Sequence, residues 1–285
     1  SKGAIALSIN DYTNDPAVIA GVLDQALAAG AASGRVVQLG AGVWSSAKAG
    51  RHEIKSYSGL VGDPSGKTTL RFTNASGGLN IIDTAGTSGQ HAYQVKLRDL
   101  VLDGQTVVPK ILTGIRIEEM ELRDVRFANW TDAAIEVTDA SLVNTHRLEF
   151  GGVDATIPKP GLRLLGNTGP IEFHSPNWYK CSGVELAGAQ LTDMRFTGQP
   201  WFEACPDLLT INNPGSWVSI GRVEITGRVI NSTATCRLVR TVAAGASTIN
   251  ATIIDVRSLN LNAPTSTTPL FDWSAFANAG NVVTR

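Results

Sequence analysis

The sequence has little charge, few aromatic residues and almost no cysteine. Only 17% of its 285 residues are charged, and 24 basic residues nearly balance 25 acidic ones. A chain without a basic excess lacks the electrostatic signature of a nucleic-acid or membrane-surface binder, so we expect neither partner. Cys181, Cys205 and Cys236 form no CxxC pair and leave one cysteine over. This favours neither a disulfide framework nor a zinc site, and we expect no metal and no cofactor.

Long hydrophobic runs are also missing. The apolar run within Ser1–Leu7 is too short for a signal peptide, and no apolar stretch of 18 residues follows. We therefore expect no membrane-spanning segment.

One amphipathic helix is predicted near the N-terminus, from Asp15 or Pro16 to Ala32. Asn14 or Asp15 suits the N-cap, and Gly34 suits the end of the helix. Its apolar stripe consists of Ile19, Val22, Leu23, Ala26 and Leu27. A lone amphipathic helix before many short strands needs an apolar surface to cover, and the open end of a β-solenoid offers one.

The rest of the chain contains a repeat of short apolar-x-apolar triplets. A first series is centred on Val101, Arg126, Glu149, Glu172, Arg195 and Glu224. A second series alternates with it and is centred on Arg116, Glu136, Arg163, Glu185 and Thr210. Because strand side chains alternate between faces, the outer residues of each triplet point inward and the middle residue points to solvent.

Stacked coils explain this register. The repeat predicts an all-β chain, a single right-handed parallel β-helix (solenoid) with an N-terminal capping α-helix. We assign residues 1–34 to the N-terminal segment and capping helix, 35–273 to a β-helix of roughly ten coils, and 274–285 to a C-terminal cap or tail. A β-sandwich would need regular hairpins, which this pattern does not show.

The opening of the chain resembles the pectate-lyase-like superfamily. The resemblance rests on residues 15–27, on the strand and Gly-rich turn at 34–44, and on Leu60-Val61-Gly62-Asp63. It implies the β-helix fold. Members include polysaccharide lyases, hydrolases, epimerases and bacteriophage tailspikes, and the fold alone does not choose among them.

The first series suggests a catalytic site. Glu149 and Glu172 are predicted to lie on adjacent coils, flanked by Arg126 and Arg195 as substrate-binding residues. Paired carboxylates suit a glycosidase, and His174 is close enough in sequence to assist proton transfer. The alternative is a solvated Arg-Glu-Glu-Arg ladder without catalytic function.

Tryptophans recur in the turns after the first-series strands. Trp130, Trp178 and Trp201 are predicted to bind sugar rings, because an aromatic face packs against the apolar face of a pyranose. The alternative is an internal stack that closes the corner of each coil. Cys181 and Cys205 follow these turns and are expected to be buried residues of such a stack.

A third cluster is acidic. Asp99 and Asp124 occupy equivalent positions on adjacent coils with Asp103 nearby, a set of oxygen ligands that suits Ca²⁺. The phrase Leu-x-Asp-apolar recurs at Asp193, however, which indicates turn residues that bond their own backbone.

Two functions fit these patterns. The first is a virion tailspike or fibre, a homotrimer that binds a cell-surface polysaccharide with or without cleaving it. The second is a secreted bacterial polysaccharide lyase or glycoside hydrolase. Both place the chain on a virion or outside the cell. The low surface charge favours packing against partner subunits and thus the first function.

Overall fold

The computed structural model describes residues 7–8, 19–83, 90–153, 158–212, 219–231, 237–243, 248–249, 252–261, 271–272 and 282–284. These residues form one helix and a stack of parallel strands. The elements are β1 (Leu7–Ser8), α1 (Ile19–Ser33), β2 (Val36–Gln38), β3 (Gly42–Ser46), β4 (His52–Lys55), β5 (Gly59–Val61), β6 (Thr68–Phe72), β7 (Leu79–Ile82), β8 (Ala92–Asp103), β9 (Lys110–Ala128), β10 (Ala133–His146), β11 (Glu149–Gly151), β12 (Pro160–Thr168), β13 (Ile171–His174), β14 (Asn177–Tyr179), β15 (Ser182–Thr197), β16 (Trp201–Glu203), β17 (Asp207–Asn212), β18 (Ser219–Asn231), β19 (Arg237–Ala243), β20 (Thr248–Ile249), β21 (Thr252–Leu261), β22 (Phe271–Asp272) and β23 (Val282–Thr284).

The strands wind into the predicted right-handed parallel β-helix. One column of paired residues can be followed through eleven rungs of the described strands. Its members are Leu7, Val37, Leu60, Leu97, Leu122, Thr145, Phe173, Phe196, Ile225, Ile254 and Thr284. The predicted count of ten coils within residues 35–273 stays a prediction. Apart from β23, the predicted cap at 274–285 lies outside the described residues.

Each coil presents three flat faces to solvent. Face 1 carries Thr113, Glu136, Arg163, Glu185 and Thr210. Face 2 carries Lys96, Glu121, Asn144, Glu172 and Arg195. Face 3 carries Val101, Arg126, Glu149, Asn177 and Trp201.

The interior is a continuous apolar column with aromatic stacks. Phe150 stacks on Trp178 with ring centroids 5.5 Å apart, and Trp178 stacks on Phe202 at 4.9 Å. Phe173 and Phe196 form a second stack at 4.8 Å. Equivalent residues of parallel coils lie directly above one another, so one aromatic residue per coil at one position is enough to build such a stack.

The helix α1 packs on the first coils, as expected. Ile19, Leu23, Ala26 and Leu27 are buried, and the helix contacts β2, β3, β4 and β5. The capping residues predicted at 14–16 lie outside the described residues.

The predicted second series is correct in register from Glu136 onward. Arg163 lies between Glu136 and Glu185 on adjacent coils, and its guanidinium contacts their carboxylates at 3.1 and 2.8 Å. The placement of Arg116 was wrong, because Thr113 occupies that position on face 1. Arg116 instead sits at a corner with a φ of 54°.

Candidate functional site

The prediction that Glu149 and Glu172 stack on adjacent coils is wrong. Glu149 pairs in register with Arg126 and Asn177 on face 3, whereas Glu172 pairs with Asn144 and Arg195 on face 2. The reason is the length of one coil: the step from Glu149 to its partner Asn177 is longer than the 23-residue step from Arg126 to Glu149. A fixed period of 23 residues, counted from Glu149, therefore reaches Glu172 on face 2 and not Asn177, its true partner on face 3.

A one-residue corner joins face 2 to face 3 in successive coils. Its members are Asp99, Asp124, Arg147 and Ser175, with φ between 49° and 56°, and then Gly198 at 78°. The left-handed conformation lets the chain turn sharply in a single residue, and it is uncommon for residues other than glycine, asparagine and aspartate. The corner side chains therefore form a column along the rod.

The pKa values of the two carboxyl groups of this corner are shifted in opposite directions. Arg147 donates to Asp124, with Nη2 to Oδ2 at 2.6 Å, and this hydrogen bond holds the pKa of Asp124 below its usual range. Burial first, and then the charge of Asp124, raise the pKa of Asp99. Asp99 therefore holds a proton to a higher pH than its neighbour on the adjacent coil.

Two histidines lie beside the corner on face 2. His146 and His174 are in register on adjacent coils, with ring centroids 5.4 Å apart, and both are exposed. The hydroxyl of Thr197 lies 3.1 Å from Nδ1 of His174. Together with Glu121, Arg123, Arg147 and Ser175, the histidines line a cleft of about 460 Å³.

A second cleft lies on the face 3 side of the same corner. It measures about 280 Å³ and is lined by Gly66, Asp99, Leu100, Val101, Asp124, Val125, Arg126, Arg147 and Glu149. Arg147 borders both clefts. We call the two clefts together the corner groove. It follows the column from Asp99 to Ser175, four rungs at a spacing of about 4.8 Å, or about 14 Å along the rod.

The remaining predicted residues are divided between the faces. Arg126 and Glu149 border the corner groove. His174 borders it too, with Glu172 two residues earlier on face 2. Arg195 lies farther along face 2, where its guanidinium contacts Asp193 at 2.8 Å.

Two of the three predicted sugar platforms were placed wrongly. Trp178 is fully buried and Trp130 is 2% exposed, while Trp201 is 43% exposed. Trp201 pairs with Asn177, so Trp178 is level with Phe202 and points inward. The 23-residue spacing of Trp178 and Trp201 misses the pairing by one residue, and one residue reverses the face of a strand side chain. Trp178 is thus part of the internal stack, the alternative that the sequence left open.

The buried cysteines fit that alternative as well. Cys181 and Cys205 are buried and are not joined in a disulfide. Burial, followed by the neighbouring Cys205, raises the pKa of the Cys181 thiol, which keeps it protonated and unreactive. Cys236 lies outside the described residues.

The sequence did contain a signal for the corner. The recurring phrases at Arg98-Asp99 and Arg123-Asp124 continue as His146-Arg147 and His174-Ser175, in register on successive coils. Asp193 does not belong to this column, because it lies in β15 and pairs with Arg222. Because the corner residue changes from aspartate at Asp124 to arginine at Arg147, the repeated phrase did not show that the column continues on the next coils.

Neither a metal centre nor a membrane span is found in the described part of the chain. No group of three or more His, Cys, Asp or Glu side chains there could hold a metal ion. Among the same residues, no helix has the length and apolar composition needed to cross a bilayer.

Comparison with known proteins identifies the fold. No protein-family model and no curated protein matches the chain. Similar solved structures include ORF18 of Geobacillus virus E2, with a TM-score of 0.58 and 13% identity over 98% of this chain. The surface adhesin PfbA of Streptococcus pneumoniae gives a TM-score of 0.56, with 11% identity over 94% of this chain and 81% of the adhesin. The tailspike protein of Acinetobacter phage vB_ApiP_P1 gives a TM-score of 0.50, with 12% identity over 98% of this chain.

These similarities show a shared right-handed parallel β-helix fold. The chain spans 60% of the viral ORF18 protein and 58% of the phage tailspike. These three relatives are a viral protein, a surface adhesin and a phage tailspike, and the two viral proteins are longer than this chain.

Proposed function

We propose that this chain is the rod of a virion tailspike or fibre that binds a cell-surface polysaccharide along the corner groove. The observation that carries the proposal is the direction of the groove, which runs along the rod across successive coils. A polymer of sugars needs a long open surface, whereas a small ligand binds in an enclosed cavity.

The groove has the polar groups that hydroxyl-rich ligands need. Arg126, Arg147 and the two histidine rings offer donors, while Asp99, Asp124 and Glu149 offer acceptors. Charged hydrogen bonds to sugar hydroxyls are stronger than neutral ones, so a few of them give useful affinity on an exposed surface. Trp201 is exposed on face 3 and extends this surface with an aromatic ring for stacking on a pyranose.

A glycan array followed by calorimetry tests the proposal. The full chain is screened against bacterial surface polysaccharides, and the polysaccharide that binds is titrated into variants. We expect His174→Asn and Arg126→Gln each to weaken binding on the order of tenfold, the effect of losing one hydrogen bond to the glycan. His91→Asn is the matched control, because His91 is an exposed histidine that pairs with Glu118 elsewhere on the rod. Equal affinities in all three variants would exclude the corner groove as the binding site of the polysaccharide.

A secreted polysaccharide hydrolase or lyase is the second candidate. It is favoured by Asp99 and Asp124, since acid–base catalysis needs two carboxyl groups with pKa values pushed apart. In this mechanism Asp99 is the proton donor and ionised Asp124 is its partner. Glu149 contacts the substrate from face 3. Glu172 is not paired with Glu149 and lies beside His174.

Cleavage has its own test. If the polysaccharide is cut, Asp99→Asn should lower the release of reducing ends or of unsaturated products by on the order of 10²-fold or more. Asp139→Asn is the control, because Asp139 is a corner aspartate in the same left-handed conformation but outside the groove. Binding without any product release would exclude the hydrolase or lyase and leave the tailspike as the remaining function.

A further inference from the structure

Two of the four histidines of the chain lie side by side on the surface. His146 and His174 are in register on adjacent coils, both are exposed, and their ring centroids are 5.4 Å apart. We call these two residues the histidine pair. His52 is fully buried, and His91 lies beside Glu118 elsewhere on the rod. Adjacent histidine rings that are open to solvent are therefore found at one place in the described part of the chain.

The spacing of the two rings suits a single metal ion. Since a metal–nitrogen bond to histidine is about 2.0–2.1 Å long, the ion lies about 3.2 Å from the centre of the ring that binds it. Two rings on one tetrahedral ion then have centres about 5.2 Å apart. The observed separation of 5.4 Å is close to this value. Because both side chains are exposed, small rotations bring a nitrogen of each ring to the same ion.

Thr197 holds the ring of His174 in a form that can bind a metal. The hydroxyl of Thr197 lies 3.1 Å from Nδ1 of His174 and 3.4 Å from the carbonyl oxygen of Phe173. A carbonyl can only accept, so the hydroxyl donates to it, and the hydroxyl oxygen accepts the Nδ1 proton of His174. Nε2 of His174 then keeps its lone pair for a ligand. Histidines that bind metals usually donate their other N–H to such a partner, which orients the ring.

The charges around the histidine pair leave room for a cation. Arg123 and Arg147 line the same cleft, but both guanidiniums lie beside the carboxylate of Asp124, at 3.6 and 2.6 Å. Glu172 is exposed two residues before His174 on face 2, and no ion pair of its carboxylate is found among the described residues. The positive charges of the cleft are therefore balanced nearby, and Glu172 adds an uncompensated negative charge that attracts a cation.

We propose that the histidine pair binds one divalent transition-metal ion, such as Cu²⁺, Ni²⁺ or Zn²⁺. Imidazole nitrogen suits these ions, whereas Ca²⁺ and Mg²⁺ prefer oxygen ligands. Two protein ligands are fewer than the three or four of a resident zinc centre, so the ion is exchangeable and water fills its remaining positions. The inference does not depend on the proposed function, because it needs the two rings and no glycan.

Titration of the full chain with metal salts tests the histidine pair. The chain carries no histidine tag and is first dialysed against a chelator, and calorimetry is run with the chlorides of Cu²⁺, Ni²⁺, Zn²⁺, Mn²⁺ and Ca²⁺. We expect one ion per chain at the pair, bound most tightly as Cu²⁺, less tightly as Ni²⁺ or Zn²⁺, and at least about tenfold more weakly again as Mn²⁺. An excess of Ca²⁺ should not displace Cu²⁺.

Variants assign the binding to named residues. His146→Asn and His174→Asn each remove one ligand and should weaken Cu²⁺ and Zn²⁺ binding by on the order of tenfold or more. Thr197→Val removes the acceptor that orients His174 and should weaken binding several-fold, while Thr197→Ser keeps the acceptor and should bind as the parent does. His91→Asn is the control and should change nothing. Electron paramagnetic resonance of the Cu²⁺ complex should show two imidazole nitrogens in the parent and one in either variant of the pair.

Three results would overturn the metal site. They are no saturable binding of Cu²⁺ or Zn²⁺, binding that both variants of the histidine pair leave unchanged, and equal affinity for Cu²⁺ and Mn²⁺, which would indicate carboxylate ligands. The metal titrations contain no glycan, and the glycan array is run with a chelator present. A chain that binds polysaccharide under these conditions but fails the metal titration retains the proposed function and loses this site. A chain that binds metal and no polysaccharide keeps the site and loses the proposed function.

Discussion

Trp178 and Trp201 are 23 residues apart in the sequence but have different surroundings. Trp178 is buried between Phe150 and Phe202, whereas Trp201 is 43% exposed. Trp178→Ala should therefore lower the free energy of unfolding by about 3–5 kcal/mol, the cost of a large cavity in a packed core. Trp201→Ala should cost less than about 1 kcal/mol. Urea unfolding of both variants measures the difference, and equal losses would contradict the assigned orientations.

Asp99 gives a prediction about pH. Its pKa is raised in the folded chain above the usual 3.8, first by burial and then by the charge of Asp124. An aspartate with a raised folded pKa destabilises the fold wherever it is ionised, which is above that folded pKa. Asp99→Asn should therefore raise the melting temperature at pH 7, and the gain should vanish as the pH falls through the folded pKa toward 3.8. Thermal melts at pH 7 and pH 3 test this. A melting temperature that rises at pH 3 but not at pH 7 would refute it.

At the scale of elements, the capping helix is attached by a chain of hydrogen bonds. Asp24 on α1 lies 2.7 Å from Nδ1 of His52, and Nε2 of His52 lies 2.7 Å from the hydroxyl of Ser46. The arrangement resembles a Ser-His-Asp triad, but Ser46 is 2% exposed and His52 is fully buried. A substrate cannot reach this hydroxyl, so the three residues join the helix to the first coils.

Asp24→Ala tests this attachment. It leaves Nδ1 of the buried His52 without its partner and removes the ion pair with Lys48, so the helix should loosen by about 1–3 kcal/mol. Hydrogen exchange should become faster in residues 19–33, while the amides of β9 and β10 keep their protection. Asp63→Ala is a suitable control, since Asp63 is a turn residue that bonds Ser65. Unchanged exchange in the helix would show that apolar packing alone holds it.

The elements also show where sequence reasoning succeeded. The repeat predicted the β-helix, the helix over its N-terminal end and the ion ladder of Glu136, Arg163 and Glu185, because these depend on local alternation of inward and outward residues. The pairing of Glu149 with Glu172 depends on the length of every coil between them, and one long coil was enough to separate the two glutamates. The corner groove was missed because its column combines Asp124, Arg147 and Ser175, which share a backbone conformation and no side-chain chemistry.

At the scale of the whole molecule, we propose that the rods associate. With 17% charged residues, the chain has a surface suited to lateral packing, and a tailspike function implies a homotrimer with parallel axes. Light scattering should give three times the mass of 30.1 kDa at micromolar concentration. A chain that stays monomeric with any adjoining trimerisation segment attached would contradict this assembly.

The position of the glycan on the rod is the central claim, and hydroxyl-radical footprinting in the presence of the bound polysaccharide tests it most directly. The method reports on exposed histidine and aromatic side chains, which this rod has on different surfaces. We predict that the polysaccharide protects His146, His174 and Trp201, while Tyr57, Tyr93 and His91 keep their reactivity. Protection of the tyrosines with unchanged oxidation of His146 and His174 would contradict the account, because the glycan would then lie on another surface of the rod.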